Sequence, residues 1–277
     1  MSERIALEIG GEGVAHVLLD RPDRLNALDG GMFDALLDIA DRLAAMASLR
    51  AVVLSGTGPA FCAGIDLRNF ERIAREGGGI DLGQRSGGTA RPLPDRSFGI
   101  ANGPQRAVLV WRELPVPVIA AVHGAALGGG FQLALGADLR FVAGDARLAI
   151  LEVAWGLVPD MAGMLLLQHL APADVVRDLV FSGREFSGDD ALRWGLATRV
   201  CADPLSEALA WASALARQSP DAVRAAKRLL NLGADGGPAA VLLAESHEQL
   251  ALLGSPNQLE AVRARRERRP GRFADPA

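Results

Sequence analysis

Apolar and polar positions follow two different periods along the chain, and the two kinds of segment alternate. Apolar residues at helical spacing between about Met32 and Met46 predict a helix. Short and almost wholly apolar runs predict strands that are covered on both faces, at 51–56, 118–124 and 139–144, and a further strand is predicted at 14–19. Strands and helices in alternation predict an α/β fold.

The pattern changes near Pro204, after which only helical spacing appears. The predicted helices cover 205–217, 220–232, 238–253 and 256–268. The sequence therefore predicts two regions, an α/β core over 1–200 and an α-helical region over 201–277.

The segment 77–104 fits neither pattern, because it is rich in glycine and proline and has no sustained period. Loops of this length inside compact domains are usually functional or mobile. Two interpretations stay open for it: a disordered surface insertion, or a flap that shapes a binding pocket.

Composition and charge narrow the classes of function. The net charge of −4 argues against a nucleic-acid-binding protein that neutralises phosphates. The two cysteines, Cys62 and Cys201, form no disulfide framework, which is typical of a reducing cytosol. No apolar run reaches the ~20 residues of a membrane span. We therefore expect a cytoplasmic protein with no nucleic-acid partner and no membrane segment.

Several common catalytic motifs are missing from the sequence. It contains no G-x-S-x-G nucleophile elbow, no G-x-x-x-x-G-K-[ST] phosphate loop and no H-E-x-x-H zinc motif. Its four histidines are scattered without the spacing of metal ligands. We expect no metal site.

Two segments combine a buried strand, a glycine turn and a following helix. They are AVVLSGTGPAFCAGIDL over 51–67 and VIAAVHGAALGGGFQLAL over 118–135. Glycine lets the backbone approach a ligand closely, and the first N–H groups of a helix have no intrahelical partner. One such turn is ordinarily structural, but an oxyanion hole needs two donors. The pair therefore favours a site that stabilises negative charge.

Four motifs follow one another along the chain: LLDRPDRLNALD (18–29), FCAGIDL (61–67), AVHGAALGGGFQLALGADLRF (121–141) and LEVAWGLVPD (151–160). Together they resemble the crotonase superfamily, the enoyl-CoA hydratase/isomerase group. The resemblance implies a spiral of ββα repeats, a C-terminal α-helical trimerisation region, and a homotrimer or dimer of trimers. It also implies an acyl-CoA thioester as substrate, with no separate cofactor because CoA is part of that substrate.

The same resemblance implies an oxyanion hole and a CoA site. The backbone N–H groups of Ile65 and Gly129 would hold the thioester oxygen, which becomes negative when an enolate forms. Arg24 would lie near the CoA phosphates, with a solvated turn residue as the alternative. The backbone from Ala63 to Leu67 would line the adenine end, through Ala63, Gly64, Ile65, Asp66 and Leu67. In the basic stretch RARRERRPGRF, Arg266 or Arg269 would reach the CoA of a neighbouring subunit, unless the stretch is simply solvated.

The acid–base residues that the resemblance implies depart from the hydratase pattern. Hydratases of the family use two glutamates twenty positions apart, and here the first position is Gln132 and the second is Glu152. An amide can hydrogen-bond to water but cannot shuttle its proton. Asp160 stands where the dienoyl-CoA isomerases carry an aspartate beside the same glutamate. Those isomerases, however, carry an acid at the position of Gln132.

Each of these side chains also has a purely structural interpretation. Glu152 could be a strand-end acid paired with Arg147, and Asp160 could be the N-cap of the helix that follows it. Gln132 could be an inert helix residue beside the pocket. Trp155 could line the acyl tunnel or fill the core, and the core is the expectation.

Three functions remain in competition. The first is isomerisation of a double bond in an enoyl- or dienoyl-CoA, with Glu152 as the principal base and Asp160 as its partner. The second is hydration by Glu152 alone, with Gln132 positioning the water. The third is a catalytically weak acyl-CoA-binding protein that keeps the fold.

Overall fold

A computed structural model describes residues 4–88 and 92–276, and it contains two sheets. The six-stranded sheet has the order β1-β2-β3-β5-β7-β9, with β1 (Ile5–Ile9), β2 (Val14–Leu19), β3 (Ala51–Gly56), β5 (Val118–Val122), β7 (Leu139–Val142) and β9 (Arg199–Val200). Its first pair is antiparallel and the other pairs are parallel. The second sheet is parallel and consists of β4 (Ala60–Cys62), β6 (Ala125–Leu127) and β8 (Arg147–Ala149).

From β3 onward, successive strands alternate between the two sheets, and helices separate each pair of strands from the next. After the N-terminal hairpin come α1 (Gly30–Ala44), then β3, β4 and α2 (Arg68–Glu76), and α3 (Gly103–Glu113) leads into β5, β6 and α4 (Gly129–Leu135). The third unit is β7, β8 and α5 (Gly163–Leu167), followed by α6 (Ala173–Ser182) and α7 (Gly188–Trp194). Each unit adds one strand to each sheet, which makes a spiral of ββα repeats.

The larger sheet is covered on both faces, as its continuous apolar strands predict. One face packs on α1 and α3, where Phe33 and Trp111 are fully buried. The other face packs on Ala208 and Ala212 of α8 (Pro204–Ala216). The two alanines let this helix lie close to the sheet.

The remaining C-terminal helices are α9 (Pro220–Asp235), α10 (Pro238–Leu252) and α11 (Pro256–Glu267), within a few residues of the predicted bounds. Lys227 of α9 is buried and donates to the Asp138 carboxylate at 2.7 Å and to the carbonyl oxygens of Trp111 and Val116. Both α8 and α9 therefore pack on the core, whereas α10 buries none of its described side chains. No helix in the described ranges is long and apolar enough to cross a membrane.

Candidate active site

The two glycine turns lie side by side because β4 and β6 are neighbours in the smaller sheet. A Cβ atom added to Gly64, whose φ is +86°, would stand 2.5 Å from the Leu127 carbonyl oxygen and 3.3 Å from the Gly129 nitrogen. A Cβ atom on Gly130 would stand 2.0 Å from the Cys62 carbonyl oxygen. The turns thus approach each other at a distance that only glycine permits.

The backbone N–H groups of Ile65 and Gly129 differ from those of their neighbours. The residues around Ile65 are paired through Leu28, whose N–H donates to the Gly64 carbonyl and whose carbonyl accepts from Asp66. Neither Ile65 nor Gly129 donates to a backbone carbonyl among the hydrogen bonds of the described residues. Gly129 is the first residue of α4, so its N–H has no partner within the helix.

A cavity of about 460 Å³ opens beside these turns. The predicted site residues that line it are Arg24, Ala63, Gly64, Ile65, Asp66, Leu67, Gly129 and Glu152. Its size falls within the usual range of small-molecule pockets, roughly 300–1,000 Å³. The predicted CoA residues, the two N–H donors and the principal acid therefore share one cavity.

Glu152 begins a short 3₁₀ turn after β8, and its carboxylate lies against Gly128. Its Oε1 accepts a hydrogen bond from Gln132 Nε2 at 2.6 Å, while the buried Oε2 has no partner among the described residues. Burial raises the pKa of Glu152, the hydrogen bond from Gln132 opposes this, and the charge of Asp160 raises the pKa further. The proposed pairing with Arg147 is wrong, because Arg147 binds Glu185 through two hydrogen bonds.

Asp160 does not cap a helix, so the N-cap interpretation is wrong. Helix α5 begins three residues later, at Gly163. Its N-cap residue is Ala162, which has a left-handed φ of +66° and makes no side-chain capping hydrogen bond. Burial raises the pKa of Asp160. Asp160 is not among the residues that line the cavity. Its charge is the smallest of the causes that shift the pKa of Glu152.

Gln132 is buried in α4 and does not line the cavity. Its Oε1 accepts hydrogen bonds from the backbone N–H groups of Met161 at 3.0 Å and Gly163 at 2.9 Å. Together with the bond to Glu152, these contacts occupy both ends of the amide. Gln132 is therefore not an inert helix residue, and its oxygen is not available to hold water.

Comparison with known proteins agrees with this geometry. The family model for enoyl-CoA hydratase/isomerase matches residues 14–232. The chain belongs to that family. The Mycobacterium bovis protein named "Probable enoyl-CoA hydratase echA6" is 35% identical over 264 residues, 95% of this chain and 96% of that protein. The mitochondrial Delta(3,5)-Delta(2,4)-dienoyl-CoA isomerase of Mus musculus is 31% identical, covering 96% of this chain and 80% of the relative.

Solved structures place the chain in the crotonase fold, which confirms the predicted spiral. The crystal structure of an enoyl-CoA hydratase from Bacillus anthracis superposes with a TM-score of 0.84 at 26% identity, over 99% of this chain and all of the other. The chain is thus an enzyme of the crotonase family, although these relatives carry different reaction names.

Two of the residues that the family resemblance associates with CoA make contacts that sequence alone did not reveal. Asp66 is buried and binds Arg21 at 3.1 Å and Arg68 at 2.7 Å. The hydrogen bond from Arg68 is the main cause of a pKa for Asp66 well below its usual range. Arg24 lies half exposed at the cavity, and its ion-pair partner among the described residues is the exposed Asp23 carboxylate, at 3.7 Å. The Asp66 carboxylate is therefore bound by arginines of the same chain, whereas the Arg24 guanidinium is half exposed to solvent.

The loop that carries Arg24 is held by two residues that sequence reasoning missed. Asn26 Oδ1 accepts from the Arg21 N–H at 2.7 Å, and Asn26 Nδ2 donates to the carbonyls of Thr57 and Ala60. The Arg21 guanidinium also contacts the Asp29 carboxylate at 3.2 Å. The only available signal was their place within the DRPDRLNALD motif.

The cavity also has an apolar wall that the sequence did not predict. Trp155 is 55% exposed and stacks on Phe70 of α2, with ring centroids 5.8 Å apart, so the expectation that it fills the core is wrong. Leu157 completes this wall. Trp155 and Leu157 follow Glu152 in an exposed turn, and both side chains line the cavity.

The described residues of the segment 77–104 do not form the pocket-shaping flap that was one of its two interpretations. Its residues 89–91 lie outside the described residues, and none of its other residues lines the cavity. Asp34 of α1 accepts from the backbone N–H groups of Gln84 and Arg85, and Asn102 caps α3. This part of the segment is therefore bound to the helical layer.

The C-terminal arginines contact residues of their own chain or solvent. Arg269 forms ion pairs with Glu260 and Glu267 at 2.6 Å, while Arg266 is exposed. A contact of either residue with the CoA of a neighbouring subunit stays a prediction.

Proposed function

We propose that the protein moves a carbon–carbon double bond along the acyl chain of an enoyl- or dienoyl-CoA. The observation that carries this proposal is the pair of acids linked through Gln132: Glu152 lies in the cavity beside the Gly128–Gly129 turn, and Gln132 bonds both to Glu152 and to the N–H of Met161, the residue after Asp160. The third polar group of the cluster, Gln132, is an amide that bonds to Glu152 and to the N–H groups of Met161 and Gly163, and an amide cannot transfer a proton. The cluster thus holds two groups that can exchange a proton.

The first step is removal of a proton from the carbon next to the thioester. Glu152 takes this proton, and the electron pair moves onto the thioester oxygen to form an enolate. The N–H groups of Ile65 and Gly129 donate to that oxygen. Loss of one such donor typically costs about 2.7–4 kcal/mol of barrier stabilisation, so both are central to the rate.

The second step returns a proton to a carbon farther along the chain. Asp160 is the donor: burial raises the pKa of both acids and like charges oppose each other, so the pair holds one proton, on Asp160 while Glu152 is ionised. One proton leaves the substrate and one arrives, so the product is an isomer and no water is consumed. Transfer of a proton from Glu152 to Asp160 then restores the starting state of the enzyme. This step requires an acyl chain that extends past Glu152 toward Asp160.

The apolar wall gives the acyl chain a place to bind. The exposed stacked rings of Phe70 and Trp155 offer a large apolar surface beside the acid. Arg24, in the motif 18–29, also lines the cavity, and its half-exposed guanidinium is suited to bind the phosphates of CoA. The substrate therefore spans a basic and an apolar part of one cavity.

Hydration by Glu152 alone is the second candidate, and the relative named as a hydratase favours it. It requires one carboxylate to orient water and to transfer its proton without help from Gln132. A protein that binds acyl-CoA without turnover is the third candidate.

Turnover of purified protein on two kinds of substrate separates these candidates. One arm offers a trans-2-enoyl-CoA, and the other offers a 3-enoyl-CoA and a 3,5-dienoyl-CoA. We expect turnover in the second arm only. Formation of the 3-hydroxyacyl product in the first arm would favour the hydratase, and binding without turnover in either arm would favour the binding protein.

We also propose a homotrimer, or a dimer of trimers, assembled through the C-terminal helices. Leu242, Leu243 and Leu250 of α10 are 62%, 59% and 72% exposed, an apolar surface that association would cover. Light scattering after size-exclusion chromatography measures the mass. A monomer at micromolar concentration would contradict the proposal.

A further inference from the structure

Gln132 connects the two segments that carry the acids. From α4 its amide nitrogen donates to Glu152 Oε1 at 2.6 Å, and its oxygen accepts from the N–H of Met161, the residue after Asp160, at 3.0 Å. The same oxygen accepts from the N–H of Gly163 at 2.9 Å. One side chain therefore bridges Glu152 and the turn that begins at Asp160.

The turn after Asp160 is shaped to receive this amide. A Cβ atom on Gly163 would stand 2.6 Å from Gln132 Oε1, so glycine is needed there for the amide to fit. The preceding residue, Ala162, has the left-handed φ of +66° that a side chain rarely adopts. Two hydrogen bonds to Gln132 flank this strained residue and hold the turn in place.

Only a neutral amide matches all three partners. Its oxygen has two lone pairs for the two N–H groups, and its nitrogen supplies a hydrogen to the carboxylate. A glutamate at the same position could accept from Met161 and Gly163, but its second oxygen would face Glu152 Oε1 without a hydrogen between them. Two carboxylates at that distance cannot both ionise easily.

We propose that Gln132 is a positioning residue: it binds Oε1 of Glu152, leaves Oε2 as the oxygen that takes the proton, and fixes Asp160 relative to it. This inference rests on the proposed roles of Glu152 and Asp160 in the isomerisation. It assigns Gln132 no contact with substrate, in keeping with its absence from the cavity wall.

The consequence for Glu152 follows from charge. In the described part of the chain, Asp160 is the charged group that acts on Glu152, and Gln132 is neutral. A carboxylate in place of the amide would add a second negative neighbour, and one of the two groups would keep a proton to a higher pH. The pH at which both carboxylates of the pair are ionised would therefore lie above the pH at which Glu152 ionises in the wild type.

The test uses full-length protein with three substitutions. Gln132→Glu keeps the two N–H contacts and adds the charge, whereas Gln132→Met keeps the length and removes every hydrogen bond. Gln168→Glu is the matched control, since Gln168 is exposed in the turn after α5 and bonds only to the Met164 carbonyl in the described structure. Thermal melts at each pH report whether each variant is folded.

Two readouts separate positioning from general support of the fold. The first is a pH titration of glutamate labelled with ¹³C at the carboxyl carbon, in which Glu152→Gln identifies the signal of Glu152. In Gln132→Glu we expect the last midpoint of the carboxyl pair to lie at least one pH unit above the midpoint of Glu152 in the wild type, and we expect the control to leave the wild-type midpoint unchanged. The second is the pH profile of kcat/KM for isomerisation, whose acidic limb should move by the same amount.

Gln132→Met should lower kcat at least tenfold while KM changes less than about threefold, since substrate contacts are kept. An unmoved midpoint in Gln132→Glu, or wild-type kcat in folded Gln132→Met, overturns the positioning role. If the wild type turns over no enoyl-CoA, the proposed function fails, while the titration still decides whether Gln132 controls the ionisation of Glu152.

Discussion

Replacing Gly64 by alanine should separate the two backbone donors of the proposed oxyanion hole, the N–H groups of Ile65 and Gly129. The added Cβ atom would stand 2.5 Å from the Leu127 carbonyl oxygen, whereas an ordinary contact begins at 3.4 Å. Relief of this overlap requires the two turns to move apart by roughly 0.9 Å, close to the ~1 Å misplacement that can cost 10²-fold. Because Gly129 lies two residues after Leu127, its N–H moves with the turn.

The expected loss of activity follows from that displacement. A misplacement of about 1 Å can lower the rate ~10²-fold, which equals about 2.7 kcal/mol of activation free energy. The positive φ of Gly64 adds a cost to stability of about 1–2 kcal/mol for a residue with a Cβ atom. Gly254 shares the positive φ, at +77°, but an added Cβ atom there meets no atom within 4 Å.

Gly254→Ala is therefore the matched control, because it carries the backbone strain without the overlap. We expect Gly64→Ala to lose more stability than Gly254→Ala in chemical denaturation, because the overlap adds to the backbone strain, and we expect only Gly64→Ala to lose about 10²-fold in kcat for isomerisation. Wild-type kcat in a folded Gly64→Ala variant would show that the distance between the two turns does not control the rate.

Three further predictions concern Glu152, Trp155 and Lys227. Glu152→Gln should lower kcat by ~10²–10⁴, the contribution of a general base, while calorimetry still detects acyl-CoA binding. The pKa of Glu152 is raised in the folded protein, so its ionisation costs stability as the pH rises through the folded pKa. Glu152→Gln should therefore be more thermally stable than wild type at pH 7 and should lose this advantage near pH 4. An equal difference in thermal stability at the two pH values would refute the pKa shift. Trp155→Ala should raise KM several-fold, since it removes exposed apolar surface on which the acyl chain would be buried, and an unchanged KM in steady-state kinetics would exclude the wall from substrate binding. Lys227→Met should cost roughly 3–5 kcal/mol in urea denaturation, because it leaves Asp138 without its buried partner, whereas a loss below 1 kcal/mol would indicate that water replaces the ammonium.

The parts of the fold that sequence predicted are those with a strong local period. The apolar run of β3 fills its strand completely, and α1 begins where Asp29 caps it, two residues before the predicted Met32. The strands β4, β6 and β8 were not predicted, because each is only three residues long and is too short to show a period of apolar positions. They form through parallel pairing between distant parts of the chain.

The parts of the site that sequence missed depend on contacts across the fold. Asp160 stands at an ideal N-cap position by sequence, yet the N–H groups of Met161 and of Gly163, the first residue of α5, are bound by Gln132, which lies far earlier in the chain. Trp155 looks like a core residue by composition, and only the packing of α2 against its turn places it at the cavity. No local pattern contains either contact.

The most direct test of the two-acid mechanism follows hydrogen exchange and product formation together in D₂O, using nuclear magnetic resonance with a 3-enoyl-CoA. We expect wild type to exchange the hydrogen next to the thioester and to form the isomer, and Glu152→Gln to do neither. Asp160→Asn should still exchange that hydrogen, since the enolate forms, but should form little isomer. Equal isomer formation by Asp160→Asn and wild type would contradict the role of Asp160 as the second proton donor.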